Sequence, residues 1–97
     1  MRVEYTTAAL DDLRTIGDFI ASDSRKRAKT FVGEMRAACR SLGTDSLRYP
    51  LQPQWPRVRR MPFRAYLVFY RVKDEVVEIL RVLHSARDVG DIQLQTF

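Results

Sequence analysis

Residues 63–72 constrain this chain more than any other stretch. Phe63, Ala65, Leu67 and Phe69 fall on one parity, and Tyr66, Val68, Tyr70 and Val72 on the other. A strand that is apolar on both parities sits in the middle of a sheet. The flanking sequence supplies neighbours. Val58 to Met61 reads as a short basic strand that Pro62 ends or bends. Lys73-Asp74 reads as a tight turn, and Val76 to His84 as the next strand. Three consecutive strands with short turns predict an antiparallel meander.

The N-terminal half is helical. Val3-Glu4-Tyr5-Thr6 alternates and is β-prone, so a short strand is expected at 2–6. Thr6 or Thr7 caps the helix that follows. Leu10, Leu13, Ile16 or Gly17, and Ile20 recur at spacings of three and four, with Asp11, Asp12, Arg14 and Asp18 between them. This pattern predicts an amphipathic helix over 8–21. Asp23 or Ser24 offers a second cap. Ala28, Phe31 or Val32, Met35, Ala38 or Cys39, and Leu42 form a second stripe over 25–42. Gly43 stands where a helix end favours a left-handed residue. So short a link makes the two helices an antiparallel hairpin. Residues 44–56 carry Pro50, Pro53 and Pro56 with no periodicity, and predict a loop anchored by Tyr49 and Trp55. Residues 88–97 read as a C-terminal tail.

The order is β-α-α-β-β-β. The first strand must join the sheet, because alone it cannot bury its apolar face. The expected fold is α+β, a helical hairpin packed on one face of the sheet. At 97 residues the chain has room for one domain, 1–97, and its 45% hydrophobic content suits one core. Cys39 is the only cysteine, so there is no internal disulfide and no thiolate metal site. Cys39 and Met35 read as core packing. No secretory signal is visible, and no apolar run reaches bilayer length. These features predict a cytoplasmic protein without membrane contact.

The charge is uneven. The chain carries 17 Lys plus Arg against 12 Asp plus Glu, a net +5. From Leu47 to Lys73 there are seven basic residues and no acidic one: Arg48, Arg57, Arg59, Arg60, Arg64, Arg71 and Lys73. That segment carries +7, and the rest of the chain −2. It predicts an acidic or phosphate-bearing partner. The plainer reading is a solvated basic edge that deters sheet-to-sheet association.

Catalytic chemistry is sparse. The single histidine, His84, ends the last strand between Arg81 and Arg87. A histidine among arginines can serve as a base in RNA cleavage. Its plainer role is to hydrogen-bond the chain end or a neighbour such as Asp88. No Ser-His-Asp order stands out, and no glycine-rich phosphate loop is present. One His and one Cys far apart do not make a zinc site, so no metal and no cofactor is expected. Asp11-Asp12 and Asp74-Glu75 read as solvated pairs.

Two segments carry a family likeness. They are Val58-Arg59-Arg60-Met61-Pro62-Phe63-Arg64-Ala65-Tyr66-Leu67-Val68-Phe69-Tyr70-Arg71-Val72 and Val77-Glu78-Ile79-Leu80-Arg81-Val82-Leu83-His84-Ser85-Ala86-Arg87-Asp88. Together they resemble the RelE/ParE toxin superfamily of bacterial type II toxin–antitoxin systems, and the second points to the ParE branch. Ala8-Ala9-Leu10-Asp11-Asp12-Leu13 fits the start of that family's first helix. The resemblance implies a helical hairpin on a curved antiparallel sheet. It implies a cognate acidic antitoxin whose C-terminal segment wraps and neutralises the toxin in a hetero-oligomer. ParE-type toxins act on DNA gyrase while the DNA is cleaved and are not known as enzymes. RelE-type toxins cut mRNA in the ribosome, using Lys, Arg, Glu, His or Tyr residues.

Most of that nuclease set is missing here. No lysine lies between Lys29 and Lys73, no acid lies in the basic segment, and Ser85 follows His84. The leading expectation is therefore a non-enzymatic gyrase inhibitor. The alternative is a ribosome-dependent mRNA endonuclease built on Arg59, Arg81 and His84. A third possibility is a small binding module without toxicity. Candidate contacts for antitoxin or target are Arg57, Arg59, Arg60, Arg64, Arg71, Arg81 and Arg87.

Overall fold

The structure is a computed structural model, and it describes residues 1–86. Arg87 and the tail over 88–97 lie outside the described residues. The elements are β1 (Arg2–Tyr5), α1 (Thr7–Ala21), α2 (Arg25–Ser41), β2 (Arg59–Phe63), β3 (Tyr66–Lys73) and β4 (Val76–His84). Both helices start on the expected caps. Thr6 Oγ1 accepts from the Ala9 N–H at 3.1 Å, and Ser24 Oγ from the Arg27 N–H at 3.2 Å. Each bond satisfies a donor that the first helical turn leaves free.

The sheet order is β1-β4-β3-β2. β2, β3 and β4 form the expected antiparallel meander. β1 does join the sheet, but it runs parallel to β4, pairing Arg2–Tyr5 with Val76–Ile79, so the sheet is mixed. A parallel pair needs a long crossover, and the hairpin, the loop and two strands supply one.

Three local expectations shift. Pro62 lies inside β2 because β2 is an edge strand, where a residue without an N–H is tolerated. Phe63 therefore ends β2, and Arg64 turns the chain with φ at 52° before β3 opens at Tyr66. Gly43 is not left-handed. It is needed for close approach: a Cβ there would stand 2.4 Å from the Met1 carbonyl oxygen. In α1 the buried positions are Ala9, Leu13 and Ile16, while Leu10 is 45% exposed.

The two parities of β3 have different covers. Val68 and Tyr70 join Met61, Val77, Ile79 and Val82 against Leu13, Ile16, Met35, Cys39 and Leu42 from the helical half. Phe69 joins Leu80, Leu83 and Val58 in a second cluster beneath Trp55. The Trp55 ring meets Phe69 edge-on at 5.3 Å. Each large side chain so buried contributes roughly 1.5–3 kcal/mol. The loop before β2 reaches both clusters by running along the edge of β2. Leu51 bridges Arg59, and the Arg60 N–H donates to the Pro50 carbonyl at 3.0 Å. On the helical side, the Tyr70 hydroxyl donates to the Ser46 carbonyl at 2.7 Å.

The β3–β4 turn is built on Asp74 and Glu75, with φ of 53° and 62°. Two left-handed residues are the signature of a type I′ hairpin, which favours Asn-Gly. Glu75 bears a Cβ in a conformation that glycine adopts freely. Glu75→Gly is expected to raise stability by about 1 kcal/mol, read as a higher urea midpoint with unchanged slope.

Candidate functional site

The arginines singled out from the sequence fall into separate environments. Arg59 points its guanidinium at the loop, donating to the Tyr49 carbonyl at 2.8 Å. Arg64, at the β2–β3 turn, pairs with Glu34 of α2, and its guanidinium lies 5.4 Å from the Phe63 ring centroid. Arg71 pairs with Glu78 across the β3–β4 ladder at 2.8 Å. Arg57 is exposed, has φ at 64°, and lines a cleft of about 220 Å³ with Arg71, Val72 and Lys73. A neighbouring cleft is lined by both signs of charge, Arg2 and Lys73 with Glu4, Asp74 and Glu78. Arg60 is half-buried opposite Phe69. Arg87 lies outside the described residues.

Arg81 is committed most firmly. Its Nε and Nη2 donate to the two carboxylate oxygens of Asp12 at 2.7 and 3.0 Å. The Val82 N–H donates to the same carboxylate at 2.9 Å. The Asp12 hydrogen bond raises the Arg81 pKa, against a smaller opposing effect of burial. Asp12 is therefore not a solvated partner of Asp11, for its side chain is only 14% exposed.

The reason lies in the backbone of β4. Phe69 pairs with Arg81, but Tyr70 pairs with Ile79, so Leu80 is an extra residue, a β-bulge. β1 ends at the level of Ile79, and α1 takes over the exposed edge. The Thr6 N–H donates to the Ile79 carbonyl at 3.0 Å, and the Thr6 hydroxyl to the Leu80 carbonyl at 2.8 Å. Asp12 then accepts from Val82. The first two turns of α1 thus satisfy the edge groups that a strand would otherwise pair.

His84 is exposed at the end of β4. Its Nδ1 accepts from the Ala86 N–H at 3.1 Å, and its ring meets Tyr66 edge-on at 5.4 Å. Arg59, Arg81 and His84 have separate partners: the first bonds the loop, the second α1, and the third the backbone just past the strand end. Among the described residues, no group of three or more His, Cys, Asp or Glu is placed to hold a metal. No helix among them is long and apolar enough to cross a membrane.

The largest feature missed from the sequence is on α2. Arg25, Lys26, Arg27, Lys29, Arg36 and Arg40 face one acid, Glu34, so this helix alone carries +5. The basicity is not confined to 47–73: the −2 of the remaining chain hides this cationic helix behind acids elsewhere. The run Arg25-Lys26-Arg27 was visible, but a single sum over the remainder cancelled it. Its first turn holds no acid, which sets three cations against the positive end of the helix dipole.

Residues 3–89 match the family described as ParE toxin of type II toxin–antitoxin system, parDE. The chain belongs to this family. Among solved structures it is similar to the chromosomal ParDE toxin–antitoxin system of P. aeruginosa, with a TM-score of 0.76 and 23% identity over 87% of this chain and 95% of that one. It is also similar to the toxin–antitoxin complex RelBE2 of Mycobacterium tuberculosis, with a TM-score of 0.64 and 26% identity over 86% of this chain and 95% of that one. Among curated proteins, no sequence matches at a significant level. The ParE-like order of two helices on a four-stranded sheet is therefore the family's fold in this chain.

Two predictions follow from the ParE toxin's internal contacts. Asp12→Ala strands the Arg81 charge and the Val82 N–H together, and is expected to cost about 3 kcal/mol in urea unfolding. Asp12→Ala with Arg81→Met should cost less than the two single changes added, because they remove one shared interaction. Cys39 provides the second prediction. It is fully buried, and burial pushes its thiol up to about 11, against smaller opposing effects of the Tyr5 hydrogen bond and Arg36. A raised folded pKa favours the neutral thiol, so its contribution is complete below the unfolded value near 9 and is lost as pH climbs towards 11. Stability should fall across that window in the native chain and less in Cys39→Ala. Iodoacetamide should label Cys39 only in urea.

Proposed function

We propose that this ParE-family toxin inhibits DNA gyrase in the cytoplasm, arrests growth, and is neutralised by a cognate acidic antitoxin in a hetero-oligomer. The family match over residues 3–89 carries this reading. The engagement of Arg81 supports it. A nuclease built on Arg59, Arg81 and His84 needs all three at one phosphodiester. Here Arg81 lies under Asp12 and Arg59 holds the loop carbonyls. A gyrase inhibitor needs no such convergence, only a stable shape and an exposed contact surface.

The antitoxin part rests on charge. α2 and the basic segment expose arginines and lysines on a chain of net +5. An acidic partner that orders on binding is drawn to such a surface and neutralises it. The two similar solved structures were each described as toxin–antitoxin systems or complexes.

Purified toxin is expected to stop gyrase supercoiling and leave cleaved DNA, while toeprints on translated mRNA stay intact. Full supercoiling at toxin excess, or new toeprint stops, would reverse the assignment. Arg60→Glu should slow antitoxin association severalfold at low salt, with a smaller effect at high salt, measured by stopped-flow mixing. Arg59→Glu should chiefly lower the urea midpoint, because Arg59 anchors the loop.

A further inference from the structure

A groove of about 260 Å³ opens between the end of α1, the outer side of α2 and the β2–β3 turn. Ile20 and Phe31 give it an apolar floor, and Lys26, Arg27 and Arg64 stand around it. The floor is firm. Phe31 meets Phe63 and Tyr66 edge-on at 5.7 and 5.6 Å, and Ile20 and Phe31 both pack on the main core. Glu34 also lines the groove, but its carboxylate is taken by Arg64. Lys26 and Arg27 are exposed, and their side chains have no ion-pair partner among the described residues. The cations beside them, Arg25 and Lys29, extend the same positive stretch.

We infer that this groove receives an acidic segment of a protein partner that inserts one bulky apolar side chain. A cavity of about 150 Å³ accepts benzene, so this volume holds an aromatic or leucine side chain with room for backbone. Carboxylates on either side of that anchor meet Lys26 and Arg27. A DNA backbone satisfies the cations but leaves Ile20 and Phe31 uncovered. The helix dipole sharpens the point. Three cations at the start of α2 oppose it, and acidic groups from a partner relieve both charges at once. In the toxin–antitoxin reading the partner is the antitoxin, so the inference rests on that reading.

The test uses the full-length toxin and a synthetic acidic peptide with one central phenylalanine, labelled for fluorescence anisotropy. The peptide should bind the native chain, more weakly as salt rises. Replacing its phenylalanine by alanine should weaken binding. Lys26→Glu with Arg27→Glu should weaken it roughly tenfold. Those changes place acids in the first turn of α2, where they favour the helix, so the variant is expected to keep its fold by circular dichroism. Equal affinity for native and charge-reversed toxin overturns the inference, as does failure of the peptide to bind. Tighter binding of a duplex DNA, lost on charge reversal while peptide binding persists, assigns the cations to nucleic acid instead and also overturns it. Gyrase supercoiling, assayed in parallel, separates the two readings. Inhibition without peptide binding sinks the groove alone, and peptide binding without inhibition sinks only the gyrase target.

Discussion

The carboxylate of Asp12 joins the two halves of the molecule. It takes two N–H groups from Arg81 and one from the Val82 backbone, all within 3.0 Å. Beside it, Thr6 both caps α1 and closes the Leu80 carbonyl. These contacts exist because β4 bulges at Leu80 where β1 stops. Helix and sheet are often held by apolar packing alone, which fixes distance better than angle. Here charge-assisted bonds also set how α1 lies along β4, and α2 follows through its short link.

The same economy of arginine recurs around the sheet. Arg59 braces the loop, Arg64 joins the β2–β3 turn to α2, Arg71 crosses the β3–β4 ladder, and Arg81 holds α1. A planar guanidinium with five donors serves such bracing better than a lysine ammonium. An Arg-rich composition in this fold therefore reports architecture as well as partners. Among the described residues, exposed cations without an acidic partner stand on α2 and at Arg48, Arg57 and Lys73.

Much of the fold was readable because periodicity and caps agree. The doubly apolar run of β3 required a central strand, and the cap candidates at Thr6 or Thr7 and at Asp23 or Ser24 marked both helix starts to within a residue. The direction of β1 was not readable, since β-propensity carries no sign for parallel or antiparallel pairing. Pro62 misled because a proline ends a strand only where the ladder needs its N–H. Asp12 was hidden by its neighbour: Asp11-Asp12 looks like a solvated pair, and nothing local announces a bulge 68 residues later. The candidate arginines were visible as charge, but charge does not say whether a side chain turns inward or outward. Arg81 turned inward. The α2 cations were visible too, and were lost only by summing them with distant acids.

The parallel pairing of β1 with β4 also orders events in time. Thr6 Oγ1 reaches Leu80 across a separation of 74 residues. A chain elongating at 5–20 residues per second leaves its first strand waiting about 4 to 15 s for that partner. Until β4 emerges, the site where α1 must seat is missing, and the central strand β3 lacks one of its two neighbours. The sheet is thus withheld until His84 has been made, and any chain that stops short of β4 leaves β1 and β3 without the strand that joins them.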